Sequence, residues 1–75
     1  LGYLNLFPNP SSSQLNLNCE NCKDFVYTIY DLQGQVIMQG KLALNHLDVS
    51  SLNNGVYILN ISFENSSKAL VFVKE

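Results

Sequence analysis

Apolar residues fall in short runs, and clusters of Gly, Pro, Asn and Ser separate them at intervals of roughly 8 to 12 residues, the spacing of an all-β sandwich or barrel. No stretch holds a helical period over three turns, so helices are not expected. The runs predict seven strands: Leu4 to Phe7, Gln14 to Asn18, Phe25 to Tyr30, Gln35 to Gln39, Lys41 to Val49, Val56 to Phe63 and Lys68 to Lys74.

Side chains of a strand point to opposite faces in turn, so in the sixth run Tyr57, Leu59, Ile61 and Phe63 share one face while Asn60, Ser62 and Glu64 take the wet one. The second run repeats this on a smaller scale, with Leu15 and Leu17 inward and Asn16 and Asn18 outward. In the third, Phe25, Tyr27 and Ile29 face the core, and Val26 and Tyr30 make the other side apolar as well, which predicts a central strand. The predicted core is Leu15, Leu17, Tyr27, Ile29, Val36, Tyr57, Leu59 and Ile61.

The fifth run breaks phase: Leu42 and Leu44 lie on one parity, Leu47 and Val49 on the other. A β-bulge near Asn45 or His46 would return both pairs to the core. Two turns have their own chemistry. Asp31-Leu32-Gln33-Gly34 reads as a type I turn closed by a left-handed Gly, and Asn53-Asn54-Gly55 supplies residues that tolerate positive φ before the sixth strand.

Size limits this to one small domain: 75 residues and 8.4 kDa, for which surface scaling gives a folded area of roughly 4,600 Å². With 47% hydrophobic and 13% charged residues the chain is too apolar for a disordered tail. A net charge of −2, from four scattered Lys and no Arg against six acids, leaves no electrostatic footprint for nucleic acid and no polybasic segment for an anionic membrane. The longest apolar runs, Val56 to Leu59 and Ala69 to Val73, are far short of the ~20 residues that span a bilayer, so direct membrane insertion is not expected. Leu1 stands where a Met would begin a nascent chain, and no basic-then-apolar leader follows, so the expectation is a piece of a longer precursor.

Catalytic chemistry is poorly supplied. The chain has one His and one Thr, no Ser in a nucleophile-elbow pattern aimed at His46, and no Gly-rich phosphate loop. His46 reads as a solvated loop residue, and Asp31 and Asp48 as turn residues rather than paired carboxylates. No enzyme activity, cofactor or metal site is therefore expected. Cys19-Glu20-Asn21-Cys22 offers too few ligands for closed tetrahedral zinc, even with His46. A strand rather than a helix follows it, which disfavours a thioredoxin-like redox pair. A short disulfide or two free thiols remain, with pairing expected in an oxidising compartment. Asn60-Ile61-Ser62 and Asn65-Ser66-Ser67 match a glycosylation sequon, as chance allows in so Asn- and Ser-rich a chain. Tyr3, Phe7, Tyr30 and Phe72 are either a sugar-binding face or, more simply, core and edge packing.

Four segments in order carry a family resemblance. Leu6-Phe7-Pro8-Asn9-Pro10 leads into Gln14-Leu15-Asn16-Leu17; Ile29-Tyr30-Asp31-Leu32-Gln33-Gly34-Gln35-Val36 follows; then comes Leu47-Asp48-Val49-Ser50-Ser51-Leu52-Asn53-Asn54-Gly55-Val56-Tyr57-Ile58-Leu59; and Lys68-Ala69-Leu70-Val71-Phe72-Val73-Lys74-Glu75 closes the chain. Together they resemble the type A C-terminal sorting domain of the type IX secretion system. Cys19 and Cys22 are not part of that pattern, and Glu75 stands where a basic or apolar residue would be expected.

The resemblance implies an immunoglobulin-like antiparallel sandwich of about seven strands over residues 1–75, with 1–10 as linker and lead-in. It implies a non-enzymatic signal at the end of a larger cargo protein from a bacterium of the Bacteroidetes. The cargo would pass through the periplasm and cross the outer membrane by way of the type IX translocon. A surface sortase would then remove the domain and join the cargo to an anionic lipopolysaccharide, leaving it on the cell surface or extracellular. Motif positions carried over are Pro8, Asn9, Pro10, Asp31, Gly34, Gly55, Tyr57, Leu70, Val71, Val73 and Lys74. Physically, Pro8 and Pro10 would steer the lead-in without continuing a ladder, Tyr57 would seek a hydroxyl partner, and the closing strand would offer an edge for strand addition. The rival readings are a carbohydrate-binding or adhesion module and a structural spacer within a longer enzyme.

Overall fold

The structure, a computed structural model, describes residues 6–7, 13–17, 24–42 and 46–75. It is all-β, with no helix among the described residues. The strands are β1 (Leu6–Phe7), β2 (Gln14–Leu17), β3 (Val26–Tyr30), β4 (Val36–Lys41), β5 (His46–Asp48), β6 (Gly55–Phe63) and β7 (Ser66–Lys74). Every pairing is antiparallel, in a small sheet ordered β1-β2-β5 and a large sheet ordered β4-β3-β6-β7. As the two-sided apolar pattern predicts, β3 lies inside its sheet, between β4 and β6.

Alternation fills one core from both sheets. Leu15 and Leu17 of β2 and Leu47 of β5 join Ile29 of β3, Tyr57, Leu59 and Ile61 of β6 and Phe72 of β7, with Leu42, Val49 and Leu52 from the connections. Phe25, Tyr27, Met38 and Leu70 pack around this cluster half-buried. Phe63 keeps the core parity but lies past the rim, 41% exposed, and stacks on Phe25 at 4.8 Å. Opposite Tyr27 in β4 sits Gly40, where a Cβ would come within 3.4 Å of the Tyr27 ring. The Gly gives that ring room to lie across the strand.

Two expectations are corrected. Val36 is 52% exposed rather than in the core. The β3–β4 ladder shifts register between Ile29 and Tyr30, which pair with Met38 and Val36, so one extra residue, Ile37, intervenes in β4. Directly opposed residues share a face, so Val36 follows outward-facing Tyr30 while Met38 follows Ile29 inward.

Nor is Lys41 to Val49 a single bulged strand. Lys41 pairs with Val26 in the large sheet, and Leu47 pairs with Leu15 in the small one. The phase break marks a change of sheet, after which alternation restarts against a new partner. Leu42, Leu47 and Val49 are nevertheless all buried. Leu44 and Asn45 lie outside the described residues, as do Tyr3, Pro8, Asn9, Pro10, Asn18, Cys19 and Cys22.

Candidate recognition surface

The register of the large sheet gathers the described motif positions at one end. Tyr30 pairs with Val36 on one side and Ile58 on the other, and Ile58 pairs with Val71. Beyond that row lie the 31–35 turn, the start of β6 at Gly55, and the end of β7, where Val56 pairs with Val73 and Gly55 with Lys74. Positions more than forty residues apart in sequence, Asp31 and Lys74, thus belong to the same rim.

Asp31 organises its turn twice over. Its carbonyl accepts from the Gly34 N–H at 3.1 Å and its own N–H donates to the Gln35 carbonyl at 3.0 Å. Its carboxylate accepts from the N–H groups of Gln33 at 2.9 Å and Gln35 at 3.0 Å. Gly34 has φ +88°, as the turn signature predicts, and open space surrounds the place a Cβ would occupy. Substitution there acts through the backbone alone. Gly34→Ala should cost about 1–2 kcal/mol by forcing a side chain into the left-handed region, with Gly34→Asn costing less. Thermal melts of the two variants would check this: equal midpoints would contradict a backbone origin.

The second turn holds the Tyr57 hydroxyl, which donates to the Asn53 carbonyl at 2.7 Å. The Tyr57 ring is buried and stacks on Phe72 at 5.6 Å, one strand over. Gly55 carries φ +156°, whereas Asn53 and Asn54 do not take positive φ. Across from Gly55, Lys74 is buried on the inner face, and its Nζ donates to the Glu75 carbonyl at 3.4 Å.

β7 divides the carried-over positions between two faces. Leu70 and Lys74 share the inward parity of fully buried Phe72, whereas Val71, 60% exposed, and Val73 face outward. Neither Val71 nor Val73 lacks a partner within the chain. Among the described residues β7 stands at the end of its sheet, and on its outward face Val71 and Val73 offer side-chain surface.

The outer side of the small sheet is polar. Ser13, Gln14, His46, Asp48 and Ser50 line an open hollow of about 400 Å³. Asp48 is a turn residue, as expected: its Oδ1 accepts from the Ser50 hydroxyl at 2.6 Å and the Ser50 N–H at 2.9 Å. The hydroxyl first, then the N–H, hold the Asp48 carboxyl below its ordinary range. A folded pKa below the unfolded one stabilises at pH above the unfolded value, and that contribution is lost as pH falls through the lowered value. The melting midpoint should therefore fall on acidification below about pH 4, and Asp48→Asn should flatten part of that fall. Parallel melting curves for the two proteins across acid pH would contradict it. The described residues hold no cluster of three or more metal-ligating side chains. Of the four aromatics weighed for sugar binding, Phe72 is fully buried and Tyr30 half-buried, and the side chains of Tyr3 and Phe7 lie outside what is described.

No curated protein matches the chain. The sequence profile described as "Secretion system C-terminal sorting domain" matches residues 5–75, which takes in the paired rim, both turns and the whole of β7. That family is a sorting signal rather than an enzyme family, and it implies export across the outer membrane as part of a larger precursor. Nearly full coverage leaves no other portion to classify: the chain belongs to the C-terminal sorting domains of the type IX secretion system.

Proposed function

We propose that residues 1–75 act as the folded signal that carries a larger cargo through the periplasm and across the outer membrane, after which a surface sortase removes the domain and anchors the cargo to lipopolysaccharide. The observation that supports a signal read as a shape is the shared rim. The Asp31–Gly34 turn, Gly55, Tyr57 and the end of β7 come together only when the four-stranded sheet has formed. On this reading the motif positions Asp31, Gly34, Gly55, Tyr57, Leu70, Val71, Val73 and Lys74 serve recognition by building or framing that rim, and Pro8, Asn9 and Pro10, which lie outside the described residues, serve it as the motif of the lead-in.

An immunoglobulin-like assignment is part of the proposal. It is supported by strand order, since β1-β2-β5 and β3-β6-β7 repeat the A-B-E and C-F-G neighbours of such sandwiches, with β4 added beside β3. The Tyr57 hydroxyl bond to the backbone four residues upstream matches the tyrosine corner of the same architecture.

Fusing the chain behind an inert periplasmic reporter in a type IX-competent bacterium of the Bacteroidetes tests the function. The expected result is reporter on the cell surface or in the medium. Retention in the periplasm with the domain folded and intact would count against a sorting role.

A further inference from the structure

The outward face of the large sheet carries an apolar band. Val36, Tyr30, Ile58 and Val71 form one continuous cross-strand row over β4, β3, β6 and β7, and the Val56–Val73 pair extends it toward the rim. Val36, Val56 and Val71 are 52%, 39% and 60% exposed, and Tyr30, Ile58 and Val73 are half-buried. Away from the rim the same face is mixed: the next row is Gln39, Thr28, Asn60 and Ala69, and the row beyond is Lys41, Val26, Ser62 and Ser67, with Val26 43% exposed. Among its strand positions the single charge is Lys41, at the far corner, while exposed Glu75 follows the end of β7 beside the Val56–Val73 pair. The outward positions of the small sheet are polar too, among them Gln14, Asn16, His46 and Asp48. The continuous apolar surface thus lies beside the rim where the family motifs meet, and the row of Gln39, Thr28 and Asn60 separates it from Val26.

Size and charge select the occupant. The exposed parts of six such side chains make a patch on the order of 400 Å², within the range of the largest patch on a typical monomer. A stable dimer asks for about 800 Å² from each partner, so the band fits an encounter that must also be released. No Lys or Arg flanks it: Lys41 is at the opposite corner and the Lys74 side chain is buried on the inner face. That argues against an anionic bilayer, which requires basic residues beside the apolar ones. A flat, neutral, aliphatic surface with one Tyr is complementary to an apolar, uncharged protein surface.

We propose that this band is the face on which a protein of the secretion machinery docks, through an apolar, uncharged surface of its own and by side-chain contact rather than strand addition. The proposal rests on the sorting function proposed above and names the surface through which it works. It uses the outward side chains of Val71, 60% exposed, and Val73, half-buried.

The test is surface delivery of a reporter fused to the full chain, with the melting midpoint of each variant measured alongside. Val36→Glu with Val71→Glu places two charges on the band at exposed positions and should lower delivery at least tenfold while the domain still melts cooperatively. Gln39→Glu with Ser67→Glu adds the same charge to the polar part of the same face and should leave delivery unchanged. If the first pair does not fold, Val36→Thr with Val71→Thr keeps the β-branched shape, removes apolar contact and should still lower delivery several-fold. Unchanged delivery by a folded band variant overturns the proposal, as does equal loss in both glutamate pairs. Sedimentation showing a dimer that the band variant dissociates, with delivery intact, assigns the face to a second copy. Binding to neutral phosphatidylcholine vesicles that the band variant abolishes, with delivery intact, assigns it to lipid; either result overturns the proposal. If the unaltered fusion stays in the periplasm, the sorting function itself fails and the docking face falls with it.

Discussion

Replacing Phe72 by alanine should lower the unfolding free energy by about 3–5 kcal/mol. A domain of 75 residues has only roughly 4–11 kcal/mol in total by the usual per-residue range. Phe72 is fully buried, pairs with Tyr57 across the β6–β7 ladder, and lies in the core shared by both sheets. The urea midpoint should drop by about half with little change in slope, because the surface exposed on unfolding is nearly the same. Val71→Ala, one residue away and facing outward, should change stability by about 0.5 kcal/mol. This contrast tests the register, since a slip of one residue would exchange the two faces of β7. Similar losses at both positions would show that the hairpin is aligned otherwise.

Tyr57→Ala should be nearly as costly, at about 3–5 kcal/mol, through loss of a buried ring. Tyr57→Phe isolates the hydroxyl bond to the Asn53 carbonyl and should cost about 1 kcal/mol, a net hydrogen bond with water able to reach the exposed acceptor residue. In a domain this small that is a fall of about 4–8 °C in melting midpoint. Because the two rings stack at 5.6 Å, Tyr57→Ala combined with Phe72→Ala should cost less than the sum of the single changes. Strict additivity in a double-mutant cycle would mean that the rings do not support one another.

The elements easiest to read from the chain are those whose signal is local. Alternation from Tyr57 to Ile61 and from Leu15 to Leu17 marks the inward faces directly, because one face of each strand is apolar and the other is not. The Asp31–Gly34 turn is equally plain, since its chemistry lies within five residues. Val36 is misread because its face depends on a register shift opposite Ile29 and Tyr30, a property of two strands together. Lys41 to Val49 is misread because a bulge and a change of sheet produce the same break in parity. Gly40 gives no warning at all, since its role depends on the Tyr27 ring lying across the strand. The apolar band was visible only as scattered Val, Ile and Tyr residues; pairing across four strands makes them neighbours.

β7 is the last of the seven strands to be made, and it closes the core along nine residues of pairing with β6. Until the ribosome has added Phe72, the inward face of β6 has no neighbour on that side and the rim has no third member. On the proposed reading, the shape that marks a protein for export therefore comes into being only once β7 has been made. A message broken or misread upstream yields cargo without it. The signal consequently certifies that the protein to which it is attached has been made through to this strand, and a truncated product lacks its credential before any protease inspects it.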